Sequence, residues 1–175
     1  MKKLSIICMT ILAVISMASC RGPKGDPGNA NVSSSTVTIK SSDWQWQSQY
    51  GQWMVEIDYP AINNNVYNYG AVLVYMDVDG TWSQVPLTYY YQDYITDEEG
   101  QEVVINCAAS IEVATLNDGG LRLFWTESDF YDGYQPQTRD YKIVAIEATV
   151  FESRSDVDYS SYEAVKTAFQ LTDDK

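Results

Sequence analysis

The sequence predicts an all-β domain: an antiparallel β-sandwich or open barrel of about eight strands with one C-terminal amphipathic helix. Three observations carry this reading. Apolar and polar residues alternate over several short stretches. Clusters of Gly, Asn, Asp and Pro separate those stretches. Tyrosine and tryptophan, which favour strands, number 14 and 5 in 175 residues.

Thr36–Lys40 reads as a first strand. Trp44 and Trp46 alternate, as do Trp53, Val55, Ile57 and Tyr59, so residues 52–59 form a strand with one buried face. Pro60 and the Asn63–Asn65 cluster end it. Ala71–Val78 is apolar on both faces, the mark of a central strand. Asp79-Gly80 is a two-residue hairpin signal. It leads into a strand over Thr81–Val85, and Tyr89-Tyr90-Tyr91 marks another. After a turn at Asp97–Gly100, the apolar residues Val103, Ile105, Cys107, Ala109, Ile111 and Val113 form the longest alternating run. Asn117–Gly120 turns the chain into Leu121–Thr126, and Tyr141–Phe151 reads as the last strand. The spacing then changes. Ser160 and Glu163 fit a capping box. Tyr162, Val165, Ala168 and Phe169 follow at helical intervals, which predicts a helix over 161–170 lying on the sheet.

The N terminus carries a different message. Lys2 and Lys3 precede an apolar run, Leu4–Met17, too short for a permanent membrane span of about 20 residues. It ends in Met17-Ala18-Ser19-Cys20, which resembles the bacterial lipobox. That signal implies cleavage after residue 19 and acylation of Cys20, whose several acyl chains together anchor stably. A plain secretory signal with an incidental cysteine is the other reading. Residues 20–34 read as a linker: Gly22–Ala30 forms three Gly-x-y triplets, too few for a triple helix but suited to an extended spacer. The folded domain is then expected over 35–175. With Cys8 in the leader and Cys20 lipidated, only Cys107 remains, so no internal disulfide is expected.

Charge narrows the partners. Without Lys2 and Lys3, nine basic residues face 24 acidic ones. Such acidity argues against nucleic acid and against electrostatic attraction to anionic lipid. The expected membrane contact is the N-terminal lipid alone.

Catalytic chemistry finds little footing. The chain contains no histidine, which excludes Ser-His-Asp and Cys-His catalysis and histidine metal sites. No cofactor motif is present. Paired carboxylates could serve a hydrolase, but nothing in the sequence selects a pair. Asp77–Gly80 matches a fragment of a calcium loop without its later ligands, and a hairpin turn is favoured; Asp129, Asp132 and Gly133 form a second acidic loop. Aromatic display is the stronger idea. Trp44, Trp46, Tyr50 and Trp53 lie close in sequence, and Phe130, Tyr131 and Tyr134 crowd one loop. Trp44, Trp46, Tyr131 and Tyr134 are the candidate ligand contacts, against the alternative that such rings are core or cross-strand pairs.

The lipobox followed by Gly22–Val32, the stretch Val66–Tyr75, the strand Tyr141–Ile146 and the segment Tyr159–Lys166 together resemble the collagen-like lipoproteins of Bacteroidota. Many of those carry longer Gly-x-y runs. The resemblance implies a lipid-anchored place in the cell envelope, at the outer membrane, and brings no catalytic or ligand residues. The expected function is a non-catalytic surface or periplasmic binding or structural module. A glycan-binding module using exposed aromatics is the alternative, and a carboxylate-dependent hydrolase a more remote one.

Overall fold

Alternating patterns become strands only when a partner sheet covers their apolar face. The computed structural model describes residues 31–117, 119–128, 130 and 134–172. The leader, Cys20 and the Gly-x-y segment lie outside them. The described strands are β1 (Val32–Ile39), β2 (Gln45–Gln47), β3 (Gln52–Asp58), β4 (Ala71–Val78), β5 (Thr81–Val85), β6 (Leu87–Thr96), β7 (Glu102–Leu116), β8 (Gly120–Glu127) and β9 (Arg139–Ile146). They pair antiparallel in two open sheets, ordered β1-β9-β4-β5 and β2-β3-β8-β7-β6. The architecture is therefore a sandwich rather than a barrel, with nine strands instead of about eight.

Two apolar clusters hold it. Between the sheets, Ile39, Val74, Met76, Tyr141 and Ile143 meet Val55, Ile57, Ile111, Leu121, Leu123 and Trp125. On the far side of the four-stranded sheet, Leu73, Tyr75, Val144 and Ile146 meet Tyr162, Val165, Phe169 and Leu171. That sheet is thus buried on both faces, which is why β4 and β9 lack a polar alternate face. One exception sits there. Lys142 is 1% exposed, with its ammonium 5.6 Å from the Trp82 ring centroid and 5.4 Å from that of Tyr162. The ring faces attract the cation and offset part of its desolvation.

Three helices complete the described chain: α1 (Asn64–Tyr69), α2 (Ala148–Ser153) and α3 (Tyr162–Phe169). The asparagine cluster ends β3 as expected but also starts α1, because the Asn63 side chain accepts hydrogen bonds from the amides of Asn65 and Val66 at 2.9 and 3.0 Å. At the end of α1, a Cβ on Gly70 would collide with the Ile146 carbonyl oxygen. The last strand stops at Ile146 rather than Phe151. The apolar run continues as α2, which sets Val150 and Phe151 against the second cluster. An apolar run does not by itself separate strand from helix. The cap of α3 is Ser161, whose Oγ accepts the Ala164 amide at 3.3 Å; the Ser160 hydroxyl donates to Asp158 instead. Upstream, β1 begins at Val32, so Ser33–Ser35, read as partly linker, pair with Ala145, Val144 and Ile143. A ladder is made by backbone and accepts serine on an edge strand. The Asp79-Gly80 hairpin has φ values of 52° and 81°, the two positive angles of a type I′ turn.

The third layer carries a clear expectation. Phe169→Ala should lower the unfolding free energy by about 3 kcal/mol, through lost transfer energy and the cavity left behind. Urea unfolding followed by tryptophan fluorescence measures it. A loss under about 1 kcal/mol would show that α3 does not support the sheet.

Candidate functional site

Successive residues of a strand face opposite sides, so Trp125 and Glu127 on β8 share the inner face with Tyr89 and Tyr91 on β6. They meet at one end of the sandwich. Glu127, 5% exposed, accepts a hydrogen bond from the Tyr91 hydroxyl at 2.7 Å and another from Trp125 Nε1–H. Tyr89 and Tyr91 stack at 5.8 Å between centroids, and Tyr134 lies 4.8 Å from Tyr91 and 6.3 Å from Trp125. Trp44 meets Trp125 edge-on at 6.4 Å. Arg139 caps the group, its guanidinium 4.6 Å from the Tyr89 ring centroid while Nη2 donates to the Tyr89 hydroxyl at 2.9 Å. Burial, then the hydrogen bond to the Glu127 carboxylate, pushes the Tyr91 hydroxyl well above its ordinary range. Burial also raises Tyr134. The arrangement locks rings and carboxylate together rather than presenting an acid and a base to solvent.

The four rings singled out in the sequence have different fates. Trp44 and Tyr134 join this cluster, and Trp44 is buried. Trp46 pairs with Trp53 at 5.4 Å, both half-buried. Tyr131 lies outside the described residues, as do Asp129, Asp132 and Gly133. Exposed rings stand elsewhere. Tyr90 and Tyr94, 77% and 62% exposed, lie on the outer face of β6, opposite Ala108 and Val104 of β7. Tyr50 and Phe130 are exposed near the β2–β3 turn. Phe130 has a left-handed φ of 58° and sits against Gly51, whose own φ is 62°. The signal for Tyr90 was present in Tyr89-Tyr90-Tyr91, since alternation sends the middle ring outward.

Two open clefts accompany these rings. One, of about 460 Å³, lies on the outer face of the five-stranded sheet and is lined by Gln47, Tyr50, Gln52, Met54, Arg122 and Phe124. Register builds it: Gln47 pairs with Gln52, Met54 with Phe124, and Glu56 with Arg122. Arg122 Nε donates to Glu56 Oε2 at 2.9 Å. The other cleft, of about 450 Å³, gathers Asp77, Asp79 and Asp140 with Arg139 near the β4–β5 turn. Asp77 accepts the Gly80 amide at 2.8 Å, so this segment is the favoured hairpin. Among the described residues, no group of three or more His, Cys, Asp or Glu side chains is placed to hold a metal ion. No described helix is long and apolar enough to cross a membrane. Cys107 is half-buried on β7, opposite Tyr91.

No protein-family model, curated protein or solved structure matches the chain.

The inner cluster yields two expectations. Glu127→Leu leaves the Trp125 and Tyr91 donors unsatisfied and should cost about 2–4 kcal/mol; Glu127→Gln, which keeps an acceptor, should cost less. Denaturant titration of both variants decides this, and equal losses would remove the carboxylate from the account. Alkaline pH should also destabilise the fold. Burial raises Tyr75 and Tyr141 as well. A raised tyrosine keeps its proton when folded, so its contribution is complete below pH about 10 and falls as pH rises toward the folded value. Tyr141 is almost fully buried and should remove about 1.4 kcal/mol per pH unit there, and Tyr75, whose hydroxyl is part-buried, less. Stability measured against pH, with tyrosinate absorbance recorded in parallel, checks the slope.

Proposed function

We propose that this chain is an envelope lipoprotein, anchored through Cys20 at the outer membrane, whose β-sandwich is a non-catalytic binding module. One observation carries the module reading. The four-stranded sheet is covered on both faces, whereas the five-stranded sheet is covered on one and displays Tyr90 and Tyr94 on the other. Exposed aromatic groups on a rigid sheet are the usual anchors of recognition surfaces. The lipobox and its likeness to the collagen-like lipoproteins of Bacteroidota support the anchor. The Gly-x-y segment would hold the module off the membrane. The excess of acidic residues disfavours nucleic acid as a partner.

Two measurements test this. Metabolic labelling with palmitate should mark the wild-type chain in the membrane fraction, and Cys20→Ala should abolish both label and retention. Label that survives Cys20→Ala would overturn the anchor. A photo-crosslinking side chain placed at Tyr90 in intact cells should yield defined adducts, while the same group at Glu163 on the helical side should not. Identical patterns from the two positions would overturn the module reading.

A further inference from the structure

We propose that the groove lined by Gln47, Tyr50, Gln52, Met54, Arg122 and Phe124 binds a neutral oligosaccharide. This inference rests on the binding-module reading and names its ligand class. The groove combines the two elements that a sugar needs. Tyr50 and Phe124 supply aromatic surface, and the exposed Phe130 packs against Gly51, next to Tyr50 in sequence. The C–H faces of a pyranose stack on such rings. Hydrogen-bonding capacity lies next to them. The carboxamides of Gln47 and Gln52 make no side-chain hydrogen bond among the described residues, and each offers two donors and an acceptor. Hydroxyl groups can use both kinds at once.

Charge selects among polar ligands. Arg122 is matched by Glu56 at 2.9 Å, and the exposed Glu112, opposite Phe124, adds a carboxylate beside the groove. An anionic chain would meet Glu56, Glu112 and the acidic excess of the domain. An uncharged polyol meets no such repulsion, can donate to these carboxylates and can still accept from the guanidinium. The volume, about 460 Å³, falls within the span of small-ligand sites, roughly 300–1,000 Å³. Gln47 places the groove at β2, the edge strand of its sheet. The Tyr90–Tyr94 face is a separate surface, on the opposite edge strand.

The test is calorimetric titration of the full-length lipoprotein in detergent micelles with cello-, xylo- and manno-oligosaccharides, and with an oligogalacturonate as the anionic control. At least one neutral probe should bind with a Kd of about 1 mM or tighter. Phe124→Ala, Tyr50→Ala and Gln52→Ala should each weaken it about tenfold, while Tyr94→Ala should leave it unchanged. Tyr50 is exposed, and Gln52, half-buried, makes no side-chain hydrogen bond among the described residues, so those variants carry the test should Phe124→Ala fail to fold. Silent neutral probes, a preference for the anionic one, or binding indifferent to the groove variants would each overturn the proposal. If the probes are silent while adducts from position 90 persist, the sugar assignment alone falls. If those adducts also fail to distinguish position 90 from position 163, the module reading falls with it.

Discussion

The whole structure depends on a sheet that is apolar on both faces. In β4 and β9, Val74, Met76, Tyr141 and Ile143 point into the sandwich, while Leu73, Tyr75, Val144 and Ile146 point away from it. Burying one such side chain fully contributes about 1.5–3 kcal/mol, so neither set can be left in water. The five-stranded sheet covers one side. The C-terminal segment must cover the other, and the spacing of Tyr162, Val165 and Phe169 on α3 is matched to that task. The Tyr75 hydroxyl reinforces the layer by donating to the Tyr159 carbonyl at 2.7 Å. Lys142 belongs to the same arrangement: the faces of Trp82 and Tyr162 offset part of the cost of a cation in an apolar layer.

Much of this architecture can be read from local pattern. β3 and β7 follow from period-two alternation, β4 from its continuous apolar run, and turns such as Asp79-Gly80 and Asp97–Gly100 separate the strands. Two features escaped for one physical reason. The change from β9 to α2 inside an apolar run, and the helical turn after Asn63, are decided by which surface waits to be covered. The site was less legible still. Trp44, Tyr91, Trp125 and Tyr134 are far apart in sequence and meet only through the packing of β6 and β8 beneath a loop. Glu127 was one acid among 24, and nothing local marks it as the buried one. The groove depends on the register that brings Met54 opposite Phe124, a long-range pairing that no local pattern contains. Tyr90 is the opposite case, since its outward orientation follows from the alternation around it.

The asymmetry between the sheets also sets how the domain meets its surroundings. An open sheet invites pairing with another chain along its edges. The two edges of the five-stranded sheet resist this by different means. β2 is only three residues long, so it offers little ladder to extend. β6 is ten residues long, but the carboxylate of Asp93 accepts the Tyr94 amide at 2.8 Å and occupies a donor that a foreign strand would need. At its far end the β6–β7 hairpin carries Asp97, Glu98, Glu99 and Glu102, whose like charges repel a second copy. Edge-to-edge association is thereby discouraged without covering the outer face. A sheet that needed only to remain soluble could have met that face with charges throughout. Carboxylates gather at the hairpin tip, while the face itself mixes tyrosines and amides with the Arg122–Glu56 pair and the exposed carboxylates of Glu112 and Asp58. A guarded edge beside an open face that bears Tyr90 and Tyr94 suits the proposed binding module: contact through side chains, with backbone pairing held off.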